Sequence, residues 1–175
     1  VTNEHSLKEE FKNLLKHFWP LYIETVKDSY IYPIIDEIRI EGHADPDYTR
    51  GNEDWKPYTY NIDLSQKRSR EVLMFIYNFE LDRKIAIKDL RWIEKRLTAN
   101  GLSYSRPLEY RDGECKQVDL EKILDYPIKL PGENEQKSKD CSRRVEIVLR
   151  TNSLEIFKLL EEGLKLDDKG RLQSS

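Results

Sequence analysis

A histidine and a carboxylate directly follow a stretch that alternates apolar and charged residues. Residues Ile38 to Glu41 have the alternation of a strand with one buried face, and Gly42-His43-Ala44-Asp45 comes next. Asp45 is therefore expected just past the carboxyl end of a strand, where ligands are often bound. The alternative is a turn aspartate whose carboxylate accepts a hydrogen bond from its own backbone.

A metal centre of the hydrolase type would need His43, Asp45 and Asp47 to converge. These residue types suit a divalent ion. Neighbouring side chains of an extended chain point to different sides, however, and no second histidine or recognisable carboxylate motif completes the ligand set. The sequence therefore predicts no metal site and no cofactor.

Two arginine-containing stretches could supply donors for an anionic ligand. Arg68 falls one turn after Ser65, near the start of a predicted helix, and its planar guanidinium can make two parallel hydrogen bonds to a carboxylate. The alternative for Arg68 is an ordinary solvated helix residue. Arg143 and Arg144 enter a predicted strand, a pattern that is typical of a solvated edge.

Composition and missing motifs exclude several classes of protein. The formal net charge of -3 argues against a nucleic-acid partner. The sequence contains no glycine-flanked serine elbow and no glycine-rich phosphate loop, so we predict no enzyme. No apolar run reaches the roughly 20 residues of a membrane span, and no signal peptide is recognisable. Because the first residue is Val1, we expect a piece of a longer protein whose anchor lies upstream.

The spacing of apolar residues predicts an α/β fold of helices on a small sheet. Ser6 is the expected N-cap of the first helix, which Pro20 should end or kink. Asn100-Gly101 should cap the third helix, while residues 45–58 and 103–140 should be irregular, with one more strand near 103–112 or upstream. The predicted helices and strands, in order, are 7–26, 38–41, 64–76, 85–97, 145–149 and 153–164.

Four stretches in this order resemble the motifs of the OmpA-like domains, a family that includes the Pal lipoprotein and the MotB stator subunit. The family's usual forms are I-x-G-H-T-D, N-x-x-L-S-x-x-R, G-x-G-E-S-x-P and N-R-R-V-E-I. The matching stretches here are Ile38–Asp45, Tyr60–Arg68, Ala99–Pro107 and Ser142–Ile147, within residues 35–150.

The resemblance implies a βαβαββ-type domain with a mixed sheet that binds peptidoglycan without covalent chemistry. In the family the motif aspartate takes the ammonium of diaminopimelate in the stem peptide, and the motif arginine takes its carboxylate. The resemblance also implies a periplasmic protein that is tethered to a membrane. The predicted ligand-binding residues are Asp45, Arg68, Asn61, Leu64, His43 and Arg144.

The chain departs from the family pattern in several places. Ala44 replaces the usual threonine, the loops within 45–61, 78–97 and 109–140 are enlarged, and the family's first strand is not visible. These enlargements resemble MotB-like and phage-defence stator proteins. They motivate an alternative, a protein-interaction domain that has lost its ligand and contacts a membrane stator partner or a second copy of itself. We expect residues 1–150 to form the domain and 151–175 a helical extension.

The two cysteines leave two possibilities open. Cys115 and Cys141 are either unrelated thiols or one disulfide, which would close a loop of about 25 residues and would need an oxidising compartment. Both precede the last strand. Since the resemblance implies a periplasmic location, we predict that they lie close enough to bond.

Overall fold

The computed structural model describes residues 7–29, 31–46, 57–123, 128 and 130–161, and the statements below concern these residues. None of the helices in this part of the chain is long and apolar enough to cross a membrane. The helices and strands are α1 (Glu9–Asp28), β1 (Ile35–Gly42), α2 (Pro57–Asp82), α3 (Ile87–Arg96), β2 (Leu97–Gly101), β3 (Leu108–Arg111), β4 (Glu114–Gln117), α4 (Glu135–Ser142), β5 (Val145–Thr151) and α5 (Ser153–Glu161).

The first helix is continuous through Pro20, so of the two predicted effects of this proline, ending the helix was wrong, and a kink stays a prediction. The N-cap is Lys8, without a side-chain hydrogen bond, and the predicted cap Ser6 lies outside the described residues. A stripe at helical spacing supplies the apolar contacts that outweigh the local cost of a proline. Its buried members are Leu15, Trp19, Ile23 and Val26.

Three strands form one sheet in the order β2-β1-β5, and β3 and β4 form a separate two-stranded hairpin. The hydrogen bonds that flank β1 and β5 show that these two strands are antiparallel. Asn152 N–H donates to Ile34 O at one end, and His43 N–H donates to Arg144 O at the other, both at 2.9 Å. The predicted α/β class, with helices and a small mixed sheet, is confirmed.

The third strand of this sheet lies where we expected the end of a helix. Residues Leu97–Gly101 form β2, so Asn100-Gly101 is not a helix cap. The helix ends at Arg96, whose Nε donates to Ile35 O at 2.8 Å, and Thr98 Oγ1 donates to Glu37 Oε1 at 2.5 Å. Contacts with the neighbouring strand thus override an apolar spacing that continues the helical period.

Two of the segments predicted to be irregular contain regular structure. The hairpin β3–β4 turns at Asp112-Gly113, where both φ angles are positive (54° and 83°), and pairs Tyr110 with Cys115. Asp-Gly is a strong signal for such a turn, and the sequence prediction overlooked it. In the other segment, α2 already begins at Pro57, a favoured residue for the first helical turn, whereas residues 47–56 lie outside the described part.

The chain divides into two compact units, which differ in what they bury. We name the unit with Ile40–Leu73 and Ala99–Ile147 the polar unit, and the unit with Leu7–Arg39 and Met74–Thr98 the apolar unit. The apolar unit buries residues such as Trp19, Ile38 and Ile93. Unusually many polar side chains are buried in the polar unit: Glu41, His43, Asp45, Asn61, Ser65, Ser69, Ser103, Glu109, Ser138 and Ser142. The predicted boundary at residue 150, between the domain and a helical extension, stays a prediction.

Within the polar unit, α4 is tied to the hairpin by a covalent bond and by two buried hydroxyls. Cys115 of β4 and Cys141 of α4 form a disulfide, with their Cα atoms 5.8 Å apart. The Ser138 Oγ accepts from Tyr110 N–H, and the Ser142 Oγ accepts from Leu108 N–H, both at 2.9 Å. These hydroxyls satisfy backbone groups on the edge of β3 that would otherwise be buried without partners.

We predict that replacing both cysteines by serine destabilises the domain by about 3–4 kcal/mol, since the disulfide closes a 26-residue separation in the unfolded chain. Urea denaturation of the wild type and of the double variant, each with and without reductant, measures the loss. The reductant should lower the midpoint of the wild type alone. Equal midpoints for the oxidised and reduced wild type would contradict the prediction.

Candidate functional site

The third turn of α2 lies against the ends of two strands, close enough that only glycine fits there. A Cβ atom at Gly42 would overlap the backbone oxygen of Ser65, and one at Gly101 would overlap the backbone nitrogen of Gln66. Neither contact involves a flexible side chain that could move away. The glycine of the His43 loop is therefore required by close packing of backbone on backbone.

Side chains of the same helical turn fix its position relative to β2. The Ser65 Oγ accepts from Ser103 N–H at 2.9 Å. The amide of Gln66 donates to Ala99 O at 3.1 Å and accepts from Gly101 N–H at 2.7 Å. These bonds hold the next turn of α2, which carries Arg68, over the loop after β1.

The side chain of Arg68 contacts the backbone of that loop. Its Nη1 donates to His43 O at 3.3 Å, two residues before Asp45, and the side chain is half-buried. The alternative of a fully solvated helix arginine does not describe this environment. The structure thus brings Arg68 to the segment that holds Asp45, as a shared site would require.

Asp45 has an arginine partner that the sequence analysis did not assign. Its side chain is only 7% exposed and accepts a hydrogen bond from Nε of Arg143, the residue that caps the C-terminus of α4. The sequence pattern predicts a solvated strand edge for Arg143 and Arg144, whereas the structure pairs Arg143 with Asp45. Both arginines precede β5, which begins at Val145, so strand alternation does not indicate which of them contacts Asp45.

The remaining predicted ligand residues have different surroundings. Arg144 pairs with Glu146 Oε1 at 2.6 Å and donates to Arg106 O at 3.1 Å. Asn61 is buried, and its Nδ2 has no hydrogen-bond partner among the described residues, while Leu64 is half-buried. The ligand-binding roles of all six residues stay predictions.

His43 lies at the centre of a separate charged cluster. The ring is fully buried, and its Nε2 is 3.9 Å from Glu41 Oε2 and 3.7 Å from Glu146 Oε2. Arg106 Nη1 donates to Glu41 Oε2 at 3.2 Å. The sequence-based metal hypothesis joined other residues: Asp45 pairs with Arg143, and Asp47 lies outside the described part.

Burial is the main reason why the imidazole of His43 is neutral at pH 7. The pKa of His43 is lowered from 6.5 to about 4, first by burial and then by the positive charges of Arg144 and Arg106, while Glu146 opposes the shift. The ring is thus an available nitrogen base inside the fold.

We predict that His43 makes the domain less stable in weak acid. The unfolded chain takes up the proton near pH 6.5 and the folded chain only near pH 4, so stability is complete above pH 6.5 and falls as the pH drops between these values. The loss from pH 7 to pH 5 should be about 2 kcal/mol. Urea denaturation at the two pH values measures this loss of unfolding free energy. In the control variant His43→Phe, the loss between pH 7 and pH 5 should be smaller than in the wild type by the same amount. An identical loss in both proteins would refute the prediction.

No family model matches the chain. Zorya protein ZorB of Escherichia coli is 35% identical over 108 residues, which are 62% of this chain and 43% of that protein, so the chain spans less than half of this relative.

Three solved structures also align with most of the chain. The peptidoglycan-associated lipoprotein of Burkholderia pseudomallei is 17% identical, with 86% of each chain covered and a TM-score of 0.46. The OmpA-like domain of FopA1 from Francisella tularensis is 19% identical over 87% of this chain and 71% of that one, with a TM-score of 0.43. The cell wall anchor of the T6SS from Pseudomonas aeruginosa is 20% identical over 87% and 74%, with a TM-score of 0.40.

The positions of the four sequence motifs agree with the resemblance. They lie at the end of β1, in the first turns of α2, in the turn after β2 and at the start of β5. The hydrogen bonds of Ser65, Arg68 and Ser103 connect three of these positions. The chain thus resembles the OmpA-like domains in its sequence motifs and in the elements that carry them.

Proposed function

We propose that this domain binds bacterial peptidoglycan without covalent chemistry and so ties the protein that carries it to the cell wall. One observation carries the proposal: a nearly buried carboxylate, Asp45, and a guanidinium, Arg68, are brought to the same short loop after β1. A ligand with an ammonium and a carboxylate on one carbon needs this combination of an acceptor and a planar donor.

The free end of diaminopimelate in the stem peptide is such a ligand. In the proposed complex Asp45 accepts from its ammonium, and Arg68 donates to its carboxylate. A carboxylate has about four acceptor positions, so Asp45 is able to serve the ligand while it keeps one bond from Arg143. Charge-assisted bonds of this kind are about twice as strong as neutral ones.

The proposed compartment is the periplasm, and the proposed action is binding without turnover. The disulfide between Cys115 and Cys141 supports an oxidising compartment, since such bonds persist there and are rare in the cytosol. At Asp45 the observed partner is a permanently charged arginine, which is unsuited to act as a proton acceptor.

A second candidate is a protein-interaction domain of an ion-driven stator or phage-defence complex that has lost the ligand. Two observations favour it: Arg143 already occupies Asp45, and Ala44 stands where the family has a hydroxyl. Titration with free meso-diaminopimelate separates the two candidates, because only the first predicts saturable binding that depends on Asp45.

We predict that purified protein pellets with peptidoglycan sacculi, and that Asp45→Ala and Arg68→Ala each weaken binding by about 2–5 kcal/mol. Each variant leaves one charge of the ligand without its partner. The two losses should add incompletely, because both residues hold the same end of the ligand. The matched control is Arg70→Ala, an exposed arginine of the same helix.

Melting curves of these variants show whether they remain folded. Wild-type protein that stays in the supernatant would contradict the proposed function. Normal pelleting of both folded variants would contradict the assigned site.

We further predict that Arg143→Ala binds sacculi several-fold more tightly than the wild type. Removing this guanidinium takes one positive charge away from the carboxylate of Asp45, so the ammonium of a ligand meets less electrostatic repulsion there. Pelleting at increasing ionic strength measures the difference. Weaker binding by a folded Arg143→Ala protein would instead make Arg143 part of the ligand site.

A further inference from the structure

The most unusual polar group in the described residues is the imidazole of His43. It has no exposed surface, and neither ring nitrogen has a hydrogen-bond partner. A buried polar atom without a partner destabilises the folded state, and most buried polar side chains therefore have a hydrogen bond. The neutral ring has one nitrogen lone pair, and that lone pair can bind a cation.

Two carboxylates face this ring from different strands. Glu41 belongs to β1, which ends at the residue before His43. Glu146 is the second residue of β5. One ligand atom from each of the three residues lies within 4.8 Å of the other two. The separations from Nε2, 3.9 Å and 3.7 Å, are slightly wider than the roughly 3.3–3.6 Å expected between ligands of a tetrahedral ion at 2.0–2.2 Å.

We propose that Glu41, His43 and Glu146 bind one divalent transition metal ion, with Zn²⁺ as the expected ion. Imidazole nitrogen and carboxylate oxygen both bind zinc, whereas Ca²⁺ and Mg²⁺ prefer oxygen ligands alone. The site is separate from Asp45, and the proposal does not depend on peptidoglycan binding.

The arginines of the cluster have unequal effects on this site. Arg144 holds Glu146 through Oε1, which leaves Oε2 as the atom directed at His43, so this pair orients a ligand from behind. Arg106 instead donates to Oε2 of Glu41, the same oxygen that faces His43. An ion must therefore displace Arg106, whose side chain is 54% exposed and has room to leave.

The proposed ion would connect the end of β1 to the start of β5. It would fix the side chain of His43, whose backbone oxygen already accepts from Arg68. The ion would therefore stiffen the loop between the strand and Asp45, and it would add stability by binding the folded state only.

Calorimetric titration with zinc chloride alone tests the proposal, on tag-free protein stripped with a chelator, at pH 7. We expect one ion per chain and a higher melting temperature with zinc. Glu146→Gln and His43→Phe should each weaken binding by at least about 10-fold, since each removes a ligand. The matched control Glu135→Gln removes an exposed carboxylate of the same unit and should bind as the wild type does.

Arg106→Gln provides an independent variant that keeps all three ligands. It removes the competing donor and a positive charge, so it should bind zinc several-fold more tightly than the wild type. Equal zinc affinity in the wild type, Glu146→Gln and His43→Phe would overturn the proposal, as would the absence of saturable binding in both the wild type and Arg106→Gln.

Discussion

The close approach of α2 to the strand ends at Gly42 and Gly101 is the constraint on which the site depends. Backbone atoms of Ser65 and Gln66 occupy the space that a side chain at either glycine would need. Because backbone cannot move aside as a flexible side chain can, this contact fixes the distance between α2 and the loop after β1. The position of Arg68 one turn further along α2 follows from it.

The tight packing in the polar unit also leaves buried backbone groups that need hydrogen-bond partners. When a helix and strand ends meet without intervening apolar side chains, backbone N–H and C=O groups are buried and need partners. Small hydroxyls supply them: Ser65 accepts from Ser103 N–H, and Ser142 accepts from Leu108 N–H. The unit therefore buries serines and charged residues where the apolar unit buries tryptophan and isoleucine.

Local sequence patterns identified the elements that are defined by local interactions. The alternation around Ile38 and Ile40 placed β1, and Leu64–Arg68 lies in α2 as expected, although this helix begins earlier than predicted, at Pro57. The strand at Leu97–Gly101 was misassigned because its sequence continues the apolar period of α3, and only its neighbour β1 makes it a strand. The hairpin could have been predicted from Asp112-Gly113.

The pairing of site residues is less accessible to sequence reasoning. The ion pair of Asp45 with Arg143 joins residues 98 positions apart, and the approach of Glu146 to His43 joins residues that different strands carry. Charge alone did not indicate which of two adjacent arginines faces the loop. Ala44, which replaces the threonine of the OmpA-like motif, lies between His43 and Asp45.

The disulfide between Cys115 and Cys141 has a consequence for the order in which the site is completed. Cys141 lies two residues before Arg143, so the bond that fastens α4 to the hairpin also fixes the backbone that carries the partner of Asp45. The contacts at Gly42 and Gly101 do not involve this bond, whereas the backbone of Arg143 is attached to it through α4. Formation of the disulfide would therefore couple the placement of Arg143 beside Asp45 to oxidation of the two cysteines.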